Sequence, residues 1–153
     1  MNKLFTFLTV TSLSVSAMSY DTLQAKKFDK FYSHMTQKNL ADSKLSVSAE
    51  NVMKMFREEK DFVLLDIRTP GEVSIISTVT PNTLQIPLEN LFQEKNLNKL
   101  PSDKPIIILC HSGARELLAA AGLKQLGFKN IQIVKGGIAA LAVANSVKNA
   151  PLK

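Results

Sequence analysis

The residues with the clearest chemical potential lie in the segment Cys110-His111-Ser112-Gly113-Ala114-Arg115. Cys110 is the one cysteine of the chain, so it cannot form an intramolecular disulfide and is either an inert or a reactive thiol. It ends an apolar run and directly precedes a segment of helical character. The start of a helix presents unpaired N–H groups and the positive end of its dipole, and Arg115 adds a cation. Because these features favour thiolate over thiol, we predict that Cys110 is a nucleophile.

The remaining residues of this segment are predicted to bind the substrate. Gly113 lets the backbone curl so that successive N–H groups point inward and form an anion-binding nest. We expect His111 to line its mouth through its backbone N–H; the alternative is that its side chain hydrogen-bonds a substrate oxygen or favours the thiolate. Ala114 completes the substrate-binding segment. Ser112 either donates its hydroxyl to the bound sulfur or serves as a helix N-cap. Arg115 binds the substrate anion, locks the loop by pairing with a carboxylate, or does both.

Buried strands that alternate with helices position this segment. Continuous apolar runs predict strands, and apolar residues at helical spacing predict the helices between them. The predicted strands cover 62–67, 83–87, 105–110 and 131–134, and the predicted helices cover 48–58, 88–95, 115–126 and 138–147. Thr69-Pro70-Gly71 is read as a break. This alternation favours an α/β fold with a largely parallel sheet, whose ligand crevice lies at the carboxyl ends of the strands, where Cys110 falls.

Three motifs together resemble one family, the rhodanese-type sulfurtransferases. The segment from Cys110 to Arg115 is similar to that family's Cys-x-x-Gly-x-Arg active-site loop. The run 65–72, Leu-Asp-Ile-Arg-Thr-Pro-Gly-Glu, is similar to its Asp-x-Arg-x-x-x-Glu signature after a buried strand. Gly136-Gly137 resembles its C-terminal Gly-Gly turn. The resemblance covers about residues 45–145, with the motifs in the expected order.

The resemblance implies a doubly wound, mostly parallel sheet of about five strands with helices on both faces. It implies a single-domain sulfurtransferase of the thiosulfate sulfurtransferase family, here in an exported form. Cys110 would take sulfur from thiosulfate or a polysulfide as a persulfide and pass it to cyanide, a thiol or a protein cysteine. No metal or organic cofactor is expected. Structural support of the site would come from four residues: Asp66, Arg68, Gly136 and Gly137.

The chain departs from the family pattern in two places. The family usually carries a Gly-His-Ile-Pro-Gly-Ala segment, whereas residues 76–83 here read Ile-Ser-Thr-Val-Thr-Pro-Asn-Thr. We expect this difference to change the shape of one wall near the site. Leu141 stands at about the position of a common family tryptophan, and the chain has no Trp. We expect that second difference to concern packing.

Two other functions compete with catalysis of sulfur transfer. Phosphatases and arsenate reductases resemble this scaffold but have a Cys-x5-Arg loop. Only four residues separate Cys110 from Arg115 here, and the shorter loop suits a single sulfur atom better than a phosphate. The other alternative is a sulfur carrier that delivers persulfide sulfur to a partner protein without fast turnover. Carrier and catalyst need the same persulfide, so both remain open.

The N-terminus is typical of an exported protein. Lys3, the apolar run 4–15 and Val15-Ser16-Ala17 predict a signal peptide over residues 1–17, with an uncleaved anchor as the alternative. Residues 18–44 are predicted to be a helical extension and linker, with Phe28 at the start of a helically spaced aromatic set that docks on the domain. Residues 45–148 are predicted to form the rhodanese-like domain. We therefore expect a periplasmic or secreted protein without stable membrane insertion after signal cleavage.

The composition limits the choice of partners. The formal charge of +6 comes from 19 basic and 13 acidic residues scattered along the chain, a pattern that favours small anions rather than nucleic acid. The two histidines, His34 and His111, do not combine with Cys110 into a metal-ligand spacing, so no metal site is predicted.

Overall fold

The structure, a computed structural model, describes residues 19–146, which fall into two units. The first unit contains helix α1 (Thr22–Tyr32) and helix α2 (Gln37–Ala41). Asp21 caps α1, because its carboxylate accepts hydrogen bonds from the backbone N–H groups of Leu23 and Gln24 at 2.9 Å. A helix is thus present in the predicted extension. Its docking on the domain stays a prediction, and the predicted signal peptide lies outside the described residues.

The second unit is a parallel α/β domain. Its elements in chain order are β1 (Ser46–Val47), α3 (Ala49–Arg57), β2 (Val63–Asp66), α4 (Pro70–Ile75), β3 (Thr83–Gln85), α5 (Leu88–Leu91), α6 (Glu94–Leu97), β4 (Ile106–Leu109), α7 (Ala114–Gln125), β5 (Ile131–Val134) and α8 (Gly137–Ala144). The described strands form one sheet in the order β1-β5-β4-β2-β3, and every pairing is parallel. The predicted α/β fold class is confirmed.

Apolar side chains fill both faces of this sheet. Alternate residues of a strand point to opposite faces, so Ile107 and Leu109 contribute to one core, whereas Ile106 and Ile108 contribute to the other. Helices α3 and α8 cover the first face, and α5 and α7 cover the second. This double burial explains why the central strands read as continuous apolar runs.

Four local features differ from the sequence expectations. The predicted break at Thr69-Pro70-Gly71 begins α4, because Thr69 and Glu72 form a capping box and Pro70 occupies the first turn. The helix predicted over 88–95 is two short helices, since Gln93 is extended. The last helix ends at Ala144 rather than 147, because Asn145 leaves the helical conformation. The two-residue strand β1 was not predicted and is too short to show a periodic pattern.

Within residues 19–146, no helix is both long and apolar enough to cross a bilayer.

Candidate active site

Cys110 follows β4, the central strand of the sheet, and sits directly beneath the turn that starts α7. Its Sγ accepts a hydrogen bond from the backbone N–H of Gly113 at 3.1 Å. Gly113 makes this turn with a φ of 109°, a conformation that side chains disfavour. The Cys110 residue is only 1% exposed. The predicted curl of the loop around the sulfur is therefore present, with one N–H already directed at Sγ.

The backbone on both sides of the sulfur is held by neighbouring elements. The N–H of Cys110 donates to Oε1 of Glu116 at 2.6 Å, and its carbonyl oxygen accepts the N–H of Ile138 at 2.8 Å. Gly137 makes the second contact possible: a Cβ at this position would lie 2.5 Å from the His111 carbonyl oxygen. The Gly136-Gly137 turn therefore brings the start of α8 against the loop, in keeping with the supporting role expected for it.

Glu116 is a buried carboxyl beside Cys110, and it is absent from the site residues predicted from the sequence. It is fully buried, and its Oε2 has no hydrogen-bond partner among the described residues. Burial disfavours the charged form and raises the pKa of Glu116 to about 7, although hydrogen bonding from Cys110 acts in the opposite direction. Glu116 occupies the same helix face as Ala120 and Leu123, which are buried core residues. A charged residue on an apolar helix face was the signal that could have revealed it.

Arg115 is paired with Glu72, a second residue missing from the predicted site. Its Nη1 and Nη2 donate to the two carboxylate oxygens of Glu72 at 2.9 and 2.5 Å. These hydrogen bonds lower the pKa of Glu72 to about 2 and raise the pKa of Arg115. Of the roles open for Arg115, pairing with a carboxylate is therefore present. The capping box with Thr69 fixes the Glu72 side chain for this pairing.

Asp66 and Arg68 form a buried ion pair at the end of β2. Both residues are 1% exposed, and Arg68 donates through Nε and Nη2 to the Asp66 carboxylate, at 2.6 Å for the shortest contact. The Nη1 of Arg68 also donates to the carbonyl oxygen of Ile76 at 2.8 Å. The pair thus anchors the start of the unusual segment 76–83, and its hydrogen bonds described here do not involve residues 110–115.

The outer surface of the loop is open to solvent. His111, Ser112 and Ala114 are exposed. The N-cap of α7 is Gly113, without a side-chain cap, so the interpretation of Ser112 as an N-cap is wrong. The left-handed conformation of Gly113 moves the cap one residue along the chain.

The two departures from the family pattern meet at one cavity. Ile76, Val79 and Leu141 line an open cavity of about 440 Å³ together with Met53, Phe56 and Ile138. Leu141 is 4% exposed and packs in the core, which agrees with the expected packing role. Within the described part of the chain, no three His, Cys, Asp or Glu side chains lie together in a way that could hold a metal ion.

A cysteine held between the central strand of a parallel sheet and the start of the following helix is an arrangement in which a thiol can act as a nucleophile. The sequence pattern of the Rhodanese-like domain family matches residues 48–144, and the chain belongs to that family.

The similarity extends to individual proteins. A "Sulfurtransferase" of Allochromatium vinosum is 32% identical over 96 residues, which cover 63% of this chain and 86% of that protein. The candidate sulfur carrier protein YrkF of Bacillus subtilis is 33% identical over 97 residues, covering 63% of this chain and 50% of that one. The crystal structure of a rhodanese-related protein from Thermoplasma volcanium superposes with a TM-score of 0.55 at 29% identity, covering 66% of this chain and 93% of that one. These relatives associate the chain with sulfur transfer in general.

The close approach at Gly137 generates a stability prediction. Gly137→Ala introduces both an unfavourable positive φ and a steric clash with the His111 carbonyl, whereas Gly127→Ala introduces only the positive φ, since nothing described lies within 4 Å of its Cβ position. We expect Gly137→Ala to lower the free energy of unfolding by about 2 kcal/mol more than Gly127→Ala. Urea denaturation measures both, and equal losses would contradict the contact.

The ion pair between Glu72 and Arg115 generates a pH prediction. Because its folded-state pKa is about 2, below the ordinary 4.5, Glu72 stabilises the fold above pH 4.5, and this contribution is lost as the pH falls toward 2. Glu72→Gln retains an acceptor for the cap, and we expect it to cost about 1 kcal/mol at pH 7 because the pair is partly exposed. The cost should shrink below pH 4. Glu58→Gln, at an exposed ion pair, is the control. A loss of stability in Glu72→Gln that does not depend on pH would refute the pairing of Glu72 with Arg115.

Proposed function

We propose that this protein transfers sulfane sulfur from thiosulfate or a polysulfide to a thiophilic acceptor through a persulfide on Cys110. The observation that carries the proposal is the hydrogen bond from the Gly113 N–H to Sγ at 3.1 Å, at the start of α7. Backbone N–H groups and the helix dipole stabilise negative charge at the sulfur. A thiolate and a persulfide anion both benefit from that environment.

The reaction has two half-reactions. The Cys110 thiolate attacks the outer sulfur of thiosulfate; a new S–S bond forms, and the donor's S–S bond breaks, so that sulfite leaves with the electron pair. Cys110 then holds a persulfide anion, and the total charge is unchanged. In the second step a nucleophilic acceptor attacks the outer sulfur and the Cys110 thiolate leaves. This is covalent catalysis by an activated nucleophile, with the loop stabilising charge where it develops.

The acceptor comes from outside the chain. Cys110 is the one cysteine in the sequence, so no second thiol of this molecule can resolve the persulfide. Cyanide, a small thiol or a cysteine of a partner protein can each take the sulfur. The burial of Cys110 favours donors and acceptors that present a small reactive atom to the loop.

The Arg115 contacts also support a carrier that delivers sulfur without fast turnover. The guanidinium is held by both carboxylate oxygens of Glu72, so its charge is already compensated. A dianion such as thiosulfate gains less from a compensated cation than from a free one, whereas the persulfide itself needs only the loop N–H groups. The similarity to a candidate sulfur carrier supports the same reading.

Mass spectrometry of the intact protein tests the shared step. After incubation with thiosulfate or polysulfide, the wild type should gain about 32 Da, one sulfur atom, and a reducing agent should remove it. Cys110→Ala should gain nothing under the same conditions. If no donor adds mass to the folded wild type, or if Cys110→Ala gains the same mass, the proposal is wrong.

Steady-state turnover then separates the enzyme from the carrier. A thiosulfate sulfurtransferase releases thiocyanate continuously from thiosulfate and cyanide. A carrier loads sulfur once and transfers it to cyanide, but reloads slowly from thiosulfate. Single loading from polysulfide without thiosulfate turnover would therefore select the carrier.

We further propose that the protein is exported to the periplasm or secreted. The basic start, apolar run and small residues of segment 1–17 support this proposal. Expression of the full chain in a Gram-negative host, followed by fractionation and N-terminal sequencing, should give a periplasmic product that begins near residue 18. An unprocessed protein in the cytoplasmic fraction would refute export.

A further inference from the structure

Glu116 is a buried acid at a position of α7 where the helix does not need a carboxyl group in order to form. It lies on the face of α7 that packs into the core, where Ala120 and Leu123 are its neighbours. Its side chain turns back over the loop, so that Oε1 accepts the Cys110 N–H at 2.6 Å. Burial of a carboxyl group costs free energy, and buried acids of this kind concentrate at functional sites.

The second carboxyl oxygen points to an unmet interaction. Oε2 is buried and finds no partner among the described residues. It lies on the side of the loop that carries Gly113, 3.8 Å from the position that a Cβ of Gly113 would take. The Cys110 thiol is near enough to lower the pKa of Glu116 but does not reach hydrogen-bonding geometry with Oε2. A protonated Oε2 would be a hydrogen-bond donor held beside the sulfur.

Cys110 is the neighbour of Glu116 whose charge changes during the proposed reaction. Arg115 and Asp66 are the charged groups that influence Glu116, and each is paired elsewhere, with Glu72 and Arg68 respectively. The packed elements β4, β5 and α8 carry no titratable side chain. Helix α5 contributes only an exposed Glu89. These elements therefore place no other titratable side chain between Glu116 and a charge that develops on the sulfur.

We propose that Glu116 in its neutral, protonated form positions Cys110 for sulfur loading and stabilises the negative charge on its sulfur, and that ionised Glu116 suppresses loading. The proposal rests on the sulfur-transfer function proposed above. A protonated carboxyl can accept the Cys110 N–H through Oε1, and a small rotation of its side chain would bring Oε2 into position to donate to the sulfur. An ionised carboxyl can only accept, and its charge opposes both the thiolate and an anionic donor.

The loading step balances without consuming the Glu116 proton. The thiolate and thiosulfate carry three negative charges in total, and the persulfide anion and sulfite carry the same number. The proton on Oε2 remains on the carboxyl throughout, as in other sites where a neutral carboxylic acid donates a hydrogen bond to developing charge. An ionised Glu116 would add a fourth negative charge beside the reacting sulfur atoms.

The test compares the pH dependence of sulfur loading in Glu116→Gln and the wild type. Glutamine mimics the protonated acid at every pH, because its amide both accepts and donates hydrogen bonds. The initial rate of mass gain from thiosulfate is measured between pH 6 and 9. The ratio of the Glu116→Gln rate to the wild-type rate should be near one at pH 6. Because Glu116 titrates near pH 7, it should reach about 30-fold at pH 8.5. Thiol ionisation beside a neutral residue 116 is common to both proteins, and repulsion between ionised Glu116 and the thiolate is part of the predicted difference.

Two further variants make the result specific. Glu94→Gln removes an exposed carboxyl, and its ratio to the wild type should stay near one at every pH. Glu116→Ala removes both the acceptor for the Cys110 N–H and the donor to the sulfur, so loading should fall at least tenfold at pH 6, with thermal unfolding reporting whether the variant is folded.

Two results with Glu116→Gln would overturn the role of Glu116 and would leave the proposed sulfur transfer standing. A Glu116→Gln ratio that does not change with pH would overturn it, as would loss of loading at pH 6 in folded Glu116→Gln. In both cases the wild type still gains sulfur, so the sulfur-transfer function would stand. If the wild type gains no sulfur from any donor, the proposed function fails first. The stability of the two proteins then reports whether Glu116 titrates: Glu116→Gln should be the more stable above pH 7 and should lose that advantage below pH 4.5.

Discussion

The peptide groups of Cys110 lie inside the protein at the end of the central strand, and buried peptide groups need hydrogen-bond partners. The N–H of Cys110 donates to Glu116, and its carbonyl oxygen accepts the N–H of Ile138. These two bonds fix the cysteine between α7 and α8. Its sulfur is thereby held under the turn at Gly113, where a backbone N–H meets it. This hydrogen-bonded segment of backbone is surrounded by the first turns of α7 and α8, with Gly113, Gly137 and Glu116 beside it.

Much of the fold could be predicted because it depends on repeated local patterns. The apolar strands β2, β4 and β5 are buried on both faces, which makes their runs continuous and their alternation with helices readable. Short elements could not be predicted in the same way. Helix α4 exists because of one capping box in a segment that reads as a break, and β1 is defined only by its pairing with β5.

The backbone motif of the candidate site could be predicted from the sequence, but the contacts of its carboxyl groups, Glu72 and Glu116, could not. The positions of Cys110 and Gly113 follow from the order of strand, turn and helix. Glu72 and Glu116 act through contacts with Arg115 and Cys110 that fold-level spacing does not reveal, because one pair spans 43 residues and the other depends on a side chain that turns back over the loop. A glutamate on an apolar helix face was the readable sign for Glu116, and Glu72 ends the acidic motif of residues 65–72. These two acids make Arg115 a compensated cation and give the sulfur a neighbour whose charge changes near neutral pH.

In the sulfur transfer that we propose, the backbone of the loop, rather than a free cation, stabilises the negative charge of the persulfide on Cys110. A crystal structure of the protein soaked in thiosulfate shows directly which groups contact the transferred sulfur. We expect one additional sulfur atom bonded to Sγ, within about 3.5 Å of backbone N–H groups of residues 111–115, with Arg115 still paired to Glu72. Sulfur bound away from Cys110, or an outer sulfur held by an Arg115 side chain released from Glu72, would contradict it.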